Sequence, residues 1–132
     1  MPSVLVIDDE ADVRDSIGQV LGRVGFEVRC ADNGLSGVEG FFAQPADVVI
    51  VDVIMPRSNG VEVIRKIRGS YPGARIIAIT GGGNFGPMGY KPGAVVTEAY
   101  LASASQSGAD AVMKKPFRRL ELIELVRSLL KN

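Results

Sequence analysis

Five polar residues at the ends of short apolar runs are the part of this sequence best suited to chemistry. They are Asp8, Asp9, Asp52, Thr80 and Lys115, with Lys114 as a rival to the last. Two of the carboxylates are adjacent, and neighbouring carboxylates resist ionisation unless a cation neutralises them. If all five side chains meet in the folded chain, they form a site with three carboxylates, one hydroxyl and at least one ammonium.

The cation that suits such a site is a hard one that prefers oxygen. The chain has no histidine and only one cysteine, which removes the usual zinc ligands and the usual general base. Mg²⁺ takes one or two carboxylates and bridges to phosphate oxygens, and a carboxylate beside it can attack phosphorus to give an aspartyl-phosphate. A lone acid after a strand is often only a helix N-cap, which Asp9 could be. Three acids with a hydroxyl and an ammonium favour a site.

The elements that would position these residues alternate along the chain. Short apolar runs predict five strands, at 3–8, 26–30, 47–52, 75–80 and 110–114. Apolar residues at helical spacing predict a helix after each strand. Strict alternation predicts an α/β fold, in which a parallel sheet has right-handed crossovers and helices on both faces. Because ligands bind outside the carboxyl ends of parallel strands, the polar residues are expected together at one edge.

Length and composition favour a single domain over 1–132. The chain has 132 residues, 46% of them hydrophobic, which is enough for one core. The last helical pattern runs to the last residues, so we expect no second domain. Cys30 ends an apolar run and is predicted to be a buried core residue.

Charge and hydropathy exclude several classes of function. Fifteen basic residues balance fifteen acidic ones, so the basic patch of a nucleic-acid binder is not expected. The start "MPSVLVIDDE" lacks the charged region of a signal peptide. No apolar run approaches the roughly 20 residues that span a bilayer. We therefore expect a cytoplasmic protein without direct contact with nucleic acid or membrane.

Four segments together resemble the receiver domain of two-component response regulators. They are "VLVIDDE", "VVIVDVIMPRSNGVEVIRKIR", "RIIAIT" and "GADAVMKKPF", and with the intervening helices they cover essentially the whole chain. The resemblance implies a flavodoxin-like, doubly wound five-stranded parallel sheet of order 2-1-3-4-5 with five helices. It also implies a signalling phosphoacceptor in a phosphorelay rather than an enzyme, although one that assists its own phosphotransfer and dephosphorylation.

The same resemblance implies roles for the acids. Asp52 would be the phosphoacceptor and a Mg²⁺ ligand. Asp9 would bind Mg²⁺ directly, Asp8 would bind it through water, and the backbone carbonyl of Ile54 would be a further ligand. A histidine kinase or phosphotransfer protein would donate the phosphoryl group.

The remaining family positions concern the response to phosphorylation. Lys115, before Pro116, would bind the phosphoryl oxygens, and alternation along the strand favours it over Lys114. The Lys115–Pro116 bond is expected to be cis, as in the family. Thr80 would be drawn towards the phosphoryl group, and the change would pass to the fourth helix, fifth strand and fifth helix. An unknown downstream protein would read that face, with the domain as a monomer or a phosphorylation-dependent homodimer.

Two features depart from the family pattern. Val112 stands at a switch position where receivers usually have Tyr or Phe. After Thr80 comes an extended glycine-rich loop at about 81–92, in which Gly81, Gly83 and Gly86 spell G-x-G-x-x-G. A dinucleotide-binding loop should follow the first strand and lead into a helix, whereas this one follows the fourth. We interpret it as a mobile flap beside the site, with a tolerated surface insertion as the alternative.

Two other functional interpretations remain open at this point. The chain could be a receiver from a larger regulator or hybrid kinase. It could also be a flavodoxin-like mononucleotide-binding protein, which would need a phosphate-cradling loop of Ser, Thr and Gly after the first strand. There the chain instead has Asp8, Asp9 and Glu10.

Overall fold

The computed structural model describes residues 2–55, 58–81 and 94–131. The strands are β1 (Ser3–Ile7), β2 (Glu27–Ala31), β3 (Val48–Asp52), β4 (Ile54–Met55), β5 (Ser58–Asn59), β6 (Arg75–Gly81) and β7 (Ala111–Lys115). The helices are α1 (Ala11–Arg23), α2 (Gly34–Ala43), α3 (Gly60–Ser70), α4 (Ala94–Ser107) and α5 (Arg119–Leu130).

The five longer strands form one parallel sheet in the order β2-β1-β3-β6-β7. These strands are the five that the sequence predicts, so the predicted order 2-1-3-4-5 and the α/β class are confirmed. The sequence analysis did not predict β4 and β5. They form a two-residue antiparallel pair in the segment between Asp52 and α3.

The sheet separates two apolar cores. On one face, α2 and α3 contribute Phe41, Ile64 and Ile67 to the larger core. On the other face, Ile17 of α1 and Leu122 of α5 pack against the sheet. All five residues of β3 are buried, which explains why its sequence is an unbroken apolar run ending in one acid.

The prediction that Cys30 is buried is wrong. Cys30 is exposed, because β2 is an edge strand of the sheet. Val28, two residues earlier on the same strand, still packs against the core beneath α1 and α5. The apolar run therefore extends beyond the helices that cover it.

Arg68 connects several elements by hydrogen bonds at the end of the sheet that lies opposite the predicted site. Its guanidinium donates to the carbonyl oxygens of Gly108 at 2.8 Å, Pro72 at 2.7 Å and Ala74 at 2.6 Å. It also pairs with Asp110 at 2.6 Å. The carboxylate of Asp110 in turn accepts from the backbone N–H of Ile76 at 2.7 Å. These contacts join the ends of α3 and α4 to the start of β6.

None of the helices in the described parts of the chain has both the length and the apolar character needed to cross a membrane.

Candidate phosphoacceptor site

Four strands of the sheet deliver polar side chains to one edge. Asp8 follows β1, Asp52 ends β3, Thr80 lies near the end of β6 and Lys115 ends β7. These strands are consecutive neighbours in the sheet, with Gly81 of β6 in register with Lys115. Residues far apart in sequence therefore meet because the sheet is parallel.

The buried polar residues of the described chain coincide with the predicted site. Asp8, Asp52 and Thr80 are each 0% exposed, whereas the large side chains that are fully buried elsewhere in the described chain are hydrophobic. Buried polar groups are costly unless they are paired, so three of them at one edge indicate a functional constraint. Asp9 is exposed at the mouth of the site.

A fourth acid belongs to this cluster, and the sequence analysis did not assign it to the site. Carboxylate oxygens of Asp8, Asp9, Glu10 and Asp52 all lie within 4.8 Å of one another. The sequence carried a signal for Glu10, since it continues the acidic run directly. In the structure Glu10 is the N-cap residue of α1, a position at which a side chain commonly has a purely local role.

Lys115 is the ammonium that the fold brings to the acids. Its Nζ lies 2.9 Å from Oδ2 of Asp8, 3.1 Å from Oδ2 of Asp52 and 3.2 Å from Oε1 of Glu10. The side chain is only 11% exposed. Burial opposes its charge, but Asp52 and Asp8 hold the pKa of Lys115 above its ordinary value. The neighbouring Lys114 is exposed, as alternation along a strand requires. The Lys115–Pro116 peptide bond is cis.

The Asp52 carboxylate has a different partner on each oxygen. The backbone N–H of Ile54 donates to Oδ1 at 2.9 Å, and Lys115 donates to Oδ2 at 3.1 Å. Burial raises the pKa of Asp52 to about 7, with Lys115 opposing the shift and Asp8 adding to it. One ammonium shared among several carboxylates does not fully compensate for their burial.

Gly60 allows the start of α3 to lie directly against the peptide that follows Asp52. A Cβ at this position would collide with the carbonyl oxygen of Asp52 and with Val53. The backbone N–H of Val53 meanwhile donates to the carbonyl of Ile79 at 2.9 Å, which extends the pairing of β3 and β6. The backbone around Asp52 is therefore held from two sides.

The turn that carries Asp8 and Asp9 is held by its own backbone and by α1. Oδ1 of Asp8 accepts from the backbone N–H of Glu10 at 2.9 Å, and Arg14 donates to the carbonyl of Asp8 at 2.8 Å. Partial burial, followed by the charge of Asp8, raises the pKa of Asp9 above its ordinary value. The exposed acid thus also experiences the excess of negative charge.

Thr80 contributes a buried hydroxyl to the site. Its hydroxyl oxygen is buried and has no hydrogen-bond partner among residues 2–55, 58–81 and 94–131. An unsatisfied buried hydroxyl costs free energy, so a ligand oxygen that reached it would gain a hydrogen bond at little further cost.

Val112 lies away from the acids, on the surface between α4 and α5. Its side chain is 41% exposed and lines an open cavity of about 570 Å³ together with Leu101, Met113 and Pro116. Most of the predicted glycine-rich loop at 81–92 lies outside the described residues; Gly81 itself ends β6.

The cluster fits a hard divalent cation. Four carboxylates face one ammonium, which leaves a net negative charge, and every available ligand atom is oxygen. The backbone carbonyl of Ile54 lies in the same segment, two residues beyond Asp52. Oxygen donors in this number suit Mg²⁺ far better than a metal that prefers nitrogen or sulfur.

A parallel sheet with this buried acid and lysine cluster at its carboxyl edge defines a receiver-type fold. The family model described as the response regulator receiver domain matches residues 4–89. The chain belongs to that family, which is a family of signalling domains.

Individual relatives agree with this assignment. The response regulator MprA of Mycobacterium tuberculosis is 30% identical over 129 residues, which cover 98% of this chain and 50% of MprA. The transcriptional regulatory protein CusR of Escherichia coli is also 30% identical, over 98% of this chain and 51% of its own length. The chain thus spans about half the length of these curated relatives. Because CusR is a transcriptional regulatory protein, the expected absence of nucleic-acid contact stays a prediction.

Solved structures show the same fold. The receiver domain of NtrX from Brucella abortus is 25% identical, with a TM-score of 0.83 and 98% coverage of both chains. The chemotaxis protein CheY4 of Vibrio cholerae superposes with a TM-score of 0.80 at 24% identity, again over 98% of each chain.

Proposed function

We propose that this receiver domain accepts a phosphoryl group on Asp52 and signals through the resulting change in its surface. The observation that carries the proposal is the Asp52 carboxylate itself. It is fully buried, held by Ile54 on one oxygen and paired with Lys115 on the other. An acid held in this way is a positioned nucleophile rather than a surface charge.

The donor would be the phosphohistidine of a histidine kinase or of a phosphotransfer protein. An oxygen of Asp52 attacks phosphorus, the phosphorus–nitrogen bond breaks, and the histidine nitrogen keeps the bonding electron pair. Lys115 neutralises charge on the phosphoryl oxygens from within hydrogen-bond reach of Asp52. The protein's contribution is therefore position and electrostatics, consistent with a signalling domain that assists its own phosphorylation and dephosphorylation.

Mg²⁺ is the cofactor that this acid cluster supports best. Asp9, Asp52 and the carbonyl of Ile54 would hold it directly, and Asp8 would act through water. When bound, the ion supplies positive charge to the phosphoryl oxygens beside that of Lys115. Its binding also offsets the repulsion among the four carboxylates.

Thr80 would link the new phosphoryl group to the surface of the domain. Its buried hydroxyl has no partner in the described chain, so it can donate to a phosphoryl oxygen without breaking an existing bond. Movement of β6 would then bias α4, β7 and α5, the face on which Val112 lies. A downstream protein, or a second copy of the domain, would recognise that face. The domain would serve alone or as the receiver part of a longer regulator.

The test is incubation with acetyl phosphate and Mg²⁺, read by intact mass. The wild type should gain one phosphoryl group, and Asp52→Asn should gain none. Asp15→Asn, which makes the same change at an exposed position on α1, should behave as the wild type. Absence of any gain in the wild type with several small-molecule donors and a cognate kinase would overturn the proposal. A flavin absorbance in the purified protein would instead favour the mononucleotide-binding alternative.

A further inference from the structure

Glu10 is the acid of the site for which neither the family motif nor the proposed function has a role. Its side chain is 52% exposed, yet Oε1 lies 3.2 Å from Nζ of Lys115. Although Glu10 is the N-cap residue of α1, its side chain does not cap Ala11–Arg23, all of which is described. It reaches across the site to a residue 105 positions away.

The ammonium of Lys115 has three hydrogens, and three carboxylates surround it. Asp8 and Asp52 are fully buried and approach it from inside, whereas Glu10 approaches from the solvent side. A phosphoryl group on Asp52 would extend outwards from that carboxylate. Oxygens of Glu10 and Asp52 lie within 4.8 Å of each other, so the two anions would compete for the same space and the same N–H donor.

We infer that Glu10 is a positioning residue. It occupies the side of the Lys115 ammonium to which a phosphoryl group on Asp52 would bind, and it must move away when Asp52 is phosphorylated. This inference rests on the proposed function. In the unphosphorylated domain, Glu10 holds the ammonium at the mouth of the site and adds a fourth negative charge. The same charge repels an incoming phosphodonor and competes with the phosphoryl group afterwards.

The inference predicts opposite effects on two ligands of opposite charge. In Glu10→Gln, the site loses one negative charge, so Mg²⁺ should bind about 3- to 10-fold more weakly. Beryllofluoride, an anion that mimics the phosphoryl group on a carboxylate, should bind about 3- to 10-fold more tightly at saturating Mg²⁺. A residue that only supported the fold would weaken both ligands together. Calorimetric titration measures both affinities.

A second pair of probes separates charge from shape. Acetyl phosphate carries more negative charge than phosphoramidate at pH 8, so Glu10→Gln should accelerate phosphorylation more with acetyl phosphate. That difference should shrink in high salt, because a half-exposed charge is screened. Glu10→Asp keeps the charge but shortens the reach to Lys115, and its beryllofluoride affinity should lie between those of the wild type and Glu10→Gln.

Asp12→Asn is the matched control, since it removes the same charge from an exposed acid in the first turn of α1. It should change neither ligand affinity by more than about 2-fold. The inference is overturned if Glu10→Gln behaves as Asp12→Asn, or if it weakens both ligands. A wild type that takes up neither a phosphoryl group nor beryllofluoride overturns the proposed function as well. The two failures are thus distinguishable.

Discussion

The carboxyl edge of the sheet and the surface around Val112 differ sharply in how deeply their residues are buried. At the edge, Asp8, Asp52 and Thr80 are completely buried, and Lys115 is nearly so. At the surface, Val112 is 41% exposed beside an open cavity. The edge is therefore crowded and electrostatically constrained, whereas the surface is open. The residues of the proposed chemistry are therefore constrained by burial and charge, whereas Val112, on the proposed readout face, is subject to neither constraint.

Of the substitutions that test this difference, Lys115→Met should change the free energy of unfolding most. The substitution leaves two fully buried carboxylates without their ammonium, so the free energy of unfolding should fall by about 2–4 kcal/mol at pH 8 without metal. Denaturant unfolding measures it. Lys66→Met, an equivalent change at an exposed position on α3, should stay within about 0.5 kcal/mol of the wild type. Equal losses in the two variants would contradict a constrained edge.

Asp52→Asn should stabilise the metal-free domain at high pH. Because burial raises the pKa of Asp52 from 3.8 to about 7, the folded state holds a proton that the unfolded state releases. The free energy of unfolding therefore falls as the pH rises between about 4 and 7. The penalty is complete above about pH 7.

Removing that carboxylate should raise the free energy of unfolding by about 1–3 kcal/mol at pH 8, and by little near pH 4. The measurement is denaturant unfolding in the presence of a chelator at both pH values. Asp15→Asn should show no such pH-dependent gain. A stabilisation of Asp52→Asn that was the same at both pH values would show that the buried charge is not its cause.

Thr80→Val tests the link between the two regions. Its hydroxyl makes no hydrogen bond within the described chain, so the unphosphorylated domain should change in stability by less than about 1 kcal/mol. Beryllofluoride should nevertheless perturb the amide resonances of α4 and β7 much less than in the wild type. Thr80→Ser, which keeps the hydroxyl, should retain the response. An undiminished response in Thr80→Val would separate Thr80 from the readout.

Val112→Phe should have the smallest effect on stability. A half-exposed side chain beside an open cavity can grow without displacing the core, so a change within about 0.5 kcal/mol is expected. Phenylalanine at the next position, in Met113→Phe, enlarges a side chain that is only 4% exposed, so the free energy of unfolding should fall by about 1–3 kcal/mol. Comparable unfolding midpoints for the two variants would mean that the surface is as tightly packed as the core.

Much of the fold could be predicted from the sequence because the interactions that determine its strands and helices are local or periodic. Apolar runs identified the strands, and the polar residues at the ends of four of them, Asp8, Asp52, Thr80 and Lys115, marked the edge at which they meet. The short β4–β5 pair escaped prediction because two-residue strands carry no periodicity.

The errors and omissions concern side chains whose surroundings depend on tertiary structure. Cys30 lies on β2, which the predicted order already places at the edge of the sheet, but only the structure shows that the core covers Val28 and not Cys30. Glu10 continues the acidic run of Asp8 and Asp9, but its meeting with Lys115 depends on how the ends of β1 and β7 converge. Sequence patterns indicate which face of a strand is apolar, but not where the helices that cover this face end.

The Arg68 cluster gives the domain a fixed point. Three carbonyl oxygens and one carboxylate bind a single guanidinium, and one of those oxygens belongs to Gly108, the residue that follows α4. The Gly108 end of α4 is thus joined to α3 and to the start of β6, whereas its other end, Ala94, lies at the edge of the sheet that carries Thr80. We therefore expect phosphorylation of Asp52 to displace α4 more at Ala94 than at Gly108.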